Sequence, residues 1–126
     1  MNILVVVTQS PYKHSRESSP ESSLTNTARR FVVAATRAGH QIPAVFFHLD
    51  GVRNVIDPTG PGENARTSSG KWRALAANDT ELLLCSSSVT KLFTPDAEMV
   101  VPEGFSVAGL VRMWDIAGQC ERVVTF

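Results

Sequence analysis

The sequence predicts an α/β domain of three layers, with a mostly parallel sheet of four to five strands held between helices. Three observations carry this expectation. Apolar runs at Ile3 to Val7, within Gln41 to His48 (Ile42, Ala44, Val45, Phe46 and Phe47) and at Leu82 to Cys85 have the pattern of buried strands. Segments with helical spacing alternate with them, as a layered α/β fold requires. The chain has 126 residues, which fits a single domain over 1–126 and suffices to bury a core without staples.

The elements follow in order. Ile3 to Val7 is the first strand, and Gln9 to Ser23, rich in Ser, Pro and charged residues without periodicity, reads as a long exposed loop. From Leu24 to Ala38 the residues Leu24, Ala28, Phe31, Val32 and Ala35 recur at helical spacing, and Gly39 stands where a helix ends. Gln41 to His48 is the second strand, closed by Asp50-Gly51. Asp57 to Gly70, with its Pro, Gly and Ser content, is expected to drape as a loop over one end of the sheet, followed by a short helix from Lys71 to Ala77 that contains Trp72. Leu82 to Cys85 is the third strand, and Ser86 to Leu92 can open a helix at once. Pro95 to Pro102 is expected to be irregular, with one short strand at Met99 to Val101. Phe105 to Ala117 is expected to be a helix with Val107, Leu110, Val111 and Trp114 on one face, closed by Gly118, and Arg122 to Phe126 is the terminal strand.

Composition narrows the function. Lys plus Arg and Asp plus Glu number 12 each, so no net field favours nucleic acid, an anionic membrane or an acidic substrate. No apolar run approaches the roughly 20 residues of a membrane span. The stretch from Met1 to Thr8 has neither a basic n-region nor a small-residue cleavage site, which sets the expectation of a cytoplasmic protein. The two cysteines, Cys85 and Cys120, are then expected to be reduced rather than paired.

Cys85 is the residue to which the chemistry points. In parallel sheets functional groups gather at the carboxyl ends of strands, and Cys85 stands at that end of the third. If Ser86-Ser87-Ser88 opens a helix, free backbone N–H groups face the sulfur and favour a thiolate or a persulfide anion. A cysteine ending an apolar strand is also a common packing residue, so both readings stand on pattern alone. No CxxC, metal-ligand spacing or GxSxG elbow is present, and no cofactor or metal is expected. A flavin or nucleotide site lacks its phosphate loop, because Thr8-Gln9-Ser10-Pro11 has no glycine.

Beyond this point the chain resembles the DsrE/TusD family, over nearly its whole length. The resemblance lies in Val7-Thr8 with Tyr12; Ala38-Gly39-His40; Phe46-Phe47 followed by Asp50-Gly51-Val52 and Asn54; Thr59, Pro61 and Trp72; Cys85; Gly104-Phe105 with Gly109-Leu110; and Cys120-Glu121-Arg122-Val123-Val124. It implies a DsrEFH-like fold with flavodoxin-like layering, and a subunit of a sulfurtransferase in which homologous small proteins (TusB/TusC-like or DsrF/DsrH-like) assemble as a heterohexamer. It further implies that the sulfur-bearing cysteine is Cys85, loaded by a TusA-like donor and discharged to a TusE/DsrC-like acceptor, for tRNA 2-thiouridine synthesis or sulfur oxidation. Such a subunit touches proteins rather than nucleic acid or membrane. The alternative within the same family is a non-catalytic structural subunit of the complex.

Two departures from the family pattern bear on the site. The loop after Tyr12 is longer, and Val89-Thr90-Lys91-Leu92-Phe93 replaces an arginine-containing segment, leaving Lys91, or Lys13 and Arg16, as candidate cations. Cys120 is expected to pack rather than to resolve a disulfide. His14 and His48 are candidates to tune the thiol, Tyr12 reads as a lid over the core, and Trp72 and Trp114 read as packing or subunit-interface residues.

Overall fold

The computed structural model of the chain describes residues 1–11, 23–56, 62–76, 79–93 and 100–126. Five strands, β1 (Ile3–Val7), β2 (Ala44–Phe47), β3 (Glu81–Cys85), β4 (Phe105–Ala108) and β5 (Arg122–Thr125), form one sheet in the order β4-β3-β2-β1-β5. All the pairings are parallel. The helices are α1 (Ser23–Arg37), α2 (Gly62–Leu75), α3 (Ser86–Leu92) and α4 (Leu110–Gly118), and a 3-10 helix runs over Leu49–Asn54.

Strand order and the right-handed rule for parallel crossovers explain the layers. From β1 to β4 the chain steps steadily in one direction, so α1, α2 and α3 share a face. The return from β4 to β5 goes the other way, which puts α4 on the opposite face. Side-chain alternation matches this division. Ile3, Val5, Val7, Val45, Phe47, Leu82 and Leu84 pack with Ala28, Val32, Trp72 and Val89. Leu4, Val6, Phe46, Leu83 and Cys85 point the other way, where α4 supplies Ile116 as its one fully buried side chain. One face is thickly covered and the other thinly, and Cys85 belongs to the thin side.

Helix α1 starts and stops within one residue of its expected bounds, and its end has a physical cause. The Gly39 N–H donates to the Thr36 carbonyl at 3.1 Å and the His40 N–H to that of Ala35 at 3.0 Å, with Gly39 at φ 91°. This paired closure needs a left-handed residue, which glycine adopts without a Cβ penalty.

Three expectations need correction. Helix α2 begins at Gly62 and runs 14 residues, where a loop to Gly70 and a short helix from Lys71 are expected; residues 57–61 lie outside the described set. The sequence signal is weak because Gly and Ser propagate helices poorly. Tertiary burial overrides it: Ser68, Ser69 and Trp72 are all buried, and Trp72 meets Phe47 edge-on with centroids 5.2 Å apart. The segment expected as one helix from Phe105 is instead β4, an extended Gly109 (φ −83°, ψ 172°), and α4. Pairing with the buried β3 wins there, since Leu82, Leu83, Leu84 and Cys85 all need an edge partner. On α4 the residues Val111 and Trp114 are exposed, by 78% and 68%, so Trp114 does not pack within the chain. The short strand expected at Met99 to Val101 does not appear at Val100 and Val101, which are irregular, and Met99 lies outside the described residues.

Candidate functional site

Cys85 ends β3 and α3 begins at the next residue, so the cysteine takes the N-cap position in extended backbone (φ −63°, ψ 121°). The strand-to-helix junction has no intervening loop, which folds Ser87 and Ser88 back toward the sulfur. The Cys85 Sγ lies 3.3 Å from the Ser87 Oγ. Burial pushes the thiol up, yet the hydroxyls of Ser87 and Ser88, the Ser88 amide and His48 together outweigh it and hold the thiol down to about 6. Cys85 has no solvent-accessible surface in the isolated chain.

The neighbouring contribution comes from the end of β2. The His48 N–H donates to the Val7 carbonyl at 2.9 Å, which fixes where the imidazole stands. Its Nδ1 is a long 3.4 Å from the Ser88 Oγ. Leu49 follows at φ 53°, a left-handed conformation that a branched side chain rarely adopts. That turn aims the Leu49 N–H at the Ser88 Oγ, 2.9 Å away. Backbone strain of this kind persists only where the surroundings over-determine it, and here the 3-10 helix does so.

The 3-10 helix is held by one buried side chain. Asn54 donates through Nδ2 to the carbonyls of Gly51 at 2.8 Å and Gln9 at 3.0 Å. Its Oδ1 accepts from the Trp72 Nε1 at 3.2 Å and the Ser68 Oγ at 3.5 Å. Every polar atom of the amide is used, so the loop after β1, the 3-10 helix and α2 are tied at one point. Trp72 is therefore a core residue with a polar anchor.

Lys91 lines a cavity of about 330 Å³ with Leu49, Asp50, Ser88 and Leu92, which Cys85 does not line. Tyr12, Lys13, His14 and Arg16 lie outside the described residues. Thr8 has a structural role, donating from its hydroxyl to the Phe126 carbonyl at 2.9 Å. Cys120 is half-buried and is pushed up by burial and by the neighbouring Glu121 carboxylate. It precedes β5 at the amino edge of the sheet, level with Asn2, whereas Cys85 is at the carboxyl edge. With β2 and β1 between them, three strand spacings separate β3 from β5, roughly 14 Å before the offset along the strands. A direct disulfide between them is out of reach, and packing is the role Cys120 fills.

The structure thus gathers Cys85, Ser87, Ser88 and His48. The sequence points to Cys85 and offers His48 as a candidate, whereas Ser86 to Ser88 enter it only as the opening of a helix. The available signal was the run Cys85-Ser86-Ser87-Ser88 at a strand end, where hydroxyls two and three residues on can reach back. Among the described residues no group of three or more His, Cys, Asp or Glu side chains could hold a metal ion, and no helix is long and apolar enough to cross a membrane.

Comparison with known proteins adds an independent line. The profile of the DsrE/DsrF-like family matches residues 1–126. A protein of Allochromatium vinosum named as the sulfurtransferase DsrE is 27% identical over 137 aligned residues, covering 100% of this chain and 98% of its own. The sulfurtransferase TusD of Enterobacter sp. (strain 638) is 27% identical over 113 residues, covering 80% of this chain and 87% of its own. The crystal structure of the YchN protein from E. coli superimposes with a TM-score of 0.66 and full coverage of both chains, at 19% identity, which establishes likeness of fold.

Proposed function

The chain belongs to the DsrE/DsrF-like family, and from that premise we propose that it is a sulfurtransferase subunit carrying sulfur as a persulfide on Cys85. Relatives named as sulfurtransferases supply the reaction class. The residue assignment is supported by one observation: Cys85 ends β3 as the N-cap of α3 with its sulfur 3.3 Å from the Ser87 Oγ, an arrangement that lowers the thiol to about 6 against the upward push of burial. A packing cysteine has no need of it.

The transfer balances without an oxidant. The Cys85 thiolate attacks the outer sulfur of a donor persulfide R–S–SH, the donor S–S bond breaks, and a new S–S bond forms on Cys85. The donor's own persulfide proton passes to the departing thiolate, so the products are Cys85–S–S⁻ and R–SH. Discharge to an acceptor thiol is the same exchange in reverse order. Because Cys85 has no accessible surface in the isolated chain, each exchange requires the structure around it to open locally.

That burial is what favours the alternative, a structural subunit that holds partners while another chain carries the sulfur. Intact mass separates the two. After incubation with a persulfide donor, the wild-type chain in its co-purified complex gains one sulfur, about 32 Da, which a reductant removes. Cys85→Ser abolishes the gain and Cys120→Ser keeps it. No gain on this chain, with sulfur appearing on a partner, would establish the structural role instead.

The exposed apolar side of α4 supports the heteromeric part of this reading, in which TusB/TusC-like or DsrF/DsrH-like subunits join this one in the cytoplasm and TusA-like and TusE/DsrC-like proteins act as donor and acceptor. Val111 and Trp114 together form an apolar patch on a short amphipathic helix, of the kind that marks contact surfaces. Trp114→Arg is expected to leave the chain folded, since the side chain is two-thirds exposed, and to dissociate it from its co-expressed partners on size exclusion. Unchanged elution would remove α4 from the interface.

A further inference from the structure

The balanced total charge conceals an uneven distribution. Helices α1 and α2 carry Arg29, Arg30, Arg37, Arg66, Lys71 and Arg73, half of the chain's 12 Lys and Arg residues, against the single acid Glu63. Four of these cations come together at a cleft of about 550 Å³: Arg29, Arg30 and Arg37 from α1, and Lys71 from α2. Among the described residues no acid lines it. The rest of the lining is Val33, Ala34, Ala74 and Leu75, so apolar surface and positive charge share the cleft. Arg30 and Arg37 are exposed, and their guanidinium groups make no ion pair or hydrogen bond among the described residues. Arg29 differs from them. It is 7% exposed, with its guanidinium carbon 5.9 Å from the centre of the buried Trp72 ring, so one of the cations lining the cleft is seated on the core.

The five α1 residues share one face, because 29, 33 and 37, like 30 and 34, recur every four positions. From Arg29 to Arg37 that face is about 12 Å long. Eight residues line the cleft, against roughly 20–30 a side in a stable protein interface. Its volume instead falls in the range of small-ligand sites, about 300–1,000 Å³. We propose that this cleft binds a small amphiphilic anion, a carboxylate or phosphate carried on an apolar body. The guanidinium groups supply paired N–H donors that match either headgroup, while Val33, Ala34, Ala74 and Leu75 cover the apolar body. The site is separate from Cys85, whose side chain packs on the opposite face of the sheet from α1 and α2.

Trp72 provides the readout, because it lies against Arg29 and is the only tryptophan left in a Trp114→Phe background. The probe is sodium dodecanoate, kept monomeric. A saturable change in Trp72 emission is expected, with one site by calorimetry. Arg30→Glu and Arg37→Glu, both at exposed positions, should melt within a few degrees of the parent chain and each weaken binding by about tenfold or more. Dodecyltrimethylammonium, with the same tail and the opposite charge, should not compete. Absence of saturable binding, equal binding of the cationic amphiphile, or an affinity indifferent to both substitutions overturns the proposal. Binding to phosphatidylglycerol vesicles without binding of the monomer would make the surface a membrane contact. Loss of a co-purifying protein in Arg30→Glu, without dodecanoate binding to the parent chain, would make it a protein contact. Either result overturns the small-ligand site.

Discussion

Gly51→Ala will leave little folded protein. A Cβ at this position overlaps the Val7 carbonyl oxygen and stands 2.6 Å from the Val7 carbonyl carbon, and both are backbone atoms at the end of a central strand that cannot swing aside. The same Val7 oxygen accepts the His48 N–H, and the Gly51 N–H donates to the His48 carbonyl at 2.9 Å. Relief of the clash therefore has to move the 3-10 helix off the sheet and take His48 and the Leu49 turn with it. A cost on the order of 4 kcal/mol or more is expected, a large part of the 5–15 kcal/mol that holds a typical domain. Thermal unfolding should fall by more than about 10 °C. A variant that melts within a few degrees of wild type would mean that the close approach is not a constraint.

The second expected result concerns pH. A thiol held at about 6 is about nine-tenths thiolate at pH 7, against a few per cent for an ordinary cysteine. In the unfolded chain Cys85 reverts to the ordinary range. Between pH 6 and that range the unfolded state therefore binds a proton that the native state does not, and stability rises with pH across the window. The contribution is fully present above the unfolded value and is lost as pH falls through about 6. Measured as the difference in unfolding free energy between wild type and Cys85→Ser, it should amount to on the order of 1 kcal/mol at pH 7 and grow toward pH 8.5. A difference that is flat, or that shrinks with rising pH, would show that the hydroxyls do not outweigh burial. Cys120→Ser should show no such gain, since burial and Glu121 push that thiol up.

Much of this molecule was legible before any coordinates. The apolar runs Ile3–Val7, Leu82–Cys85 and the one within 41–48 read as buried parallel strands, because no face of them is polar enough for solvent. Gly39 marked a helix end because the closing geometry needs a left-handed residue. Cys85 stood out because strand termini are where such folds do chemistry. Each inference uses information held within a few residues of chain.

What tertiary structure alone decided involves partners distant in sequence. Helix α2 forms over a Gly- and Ser-rich stretch because Trp72 and Ser68 are buried against Asn54 and Phe47, contacts that no local propensity records. Phe105–Ala108 is a strand because β3 needs an edge, although its pattern also fits a helix. The pairing of His48 with Ser88 spans 40 positions, and the Leu49 N–H that meets the same hydroxyl spans 39. Residue types and period define elements and mark a nucleophile; the environment that sets how that nucleophile ionises is assembled from strand ends brought side by side, which only the order of the sheet can specify.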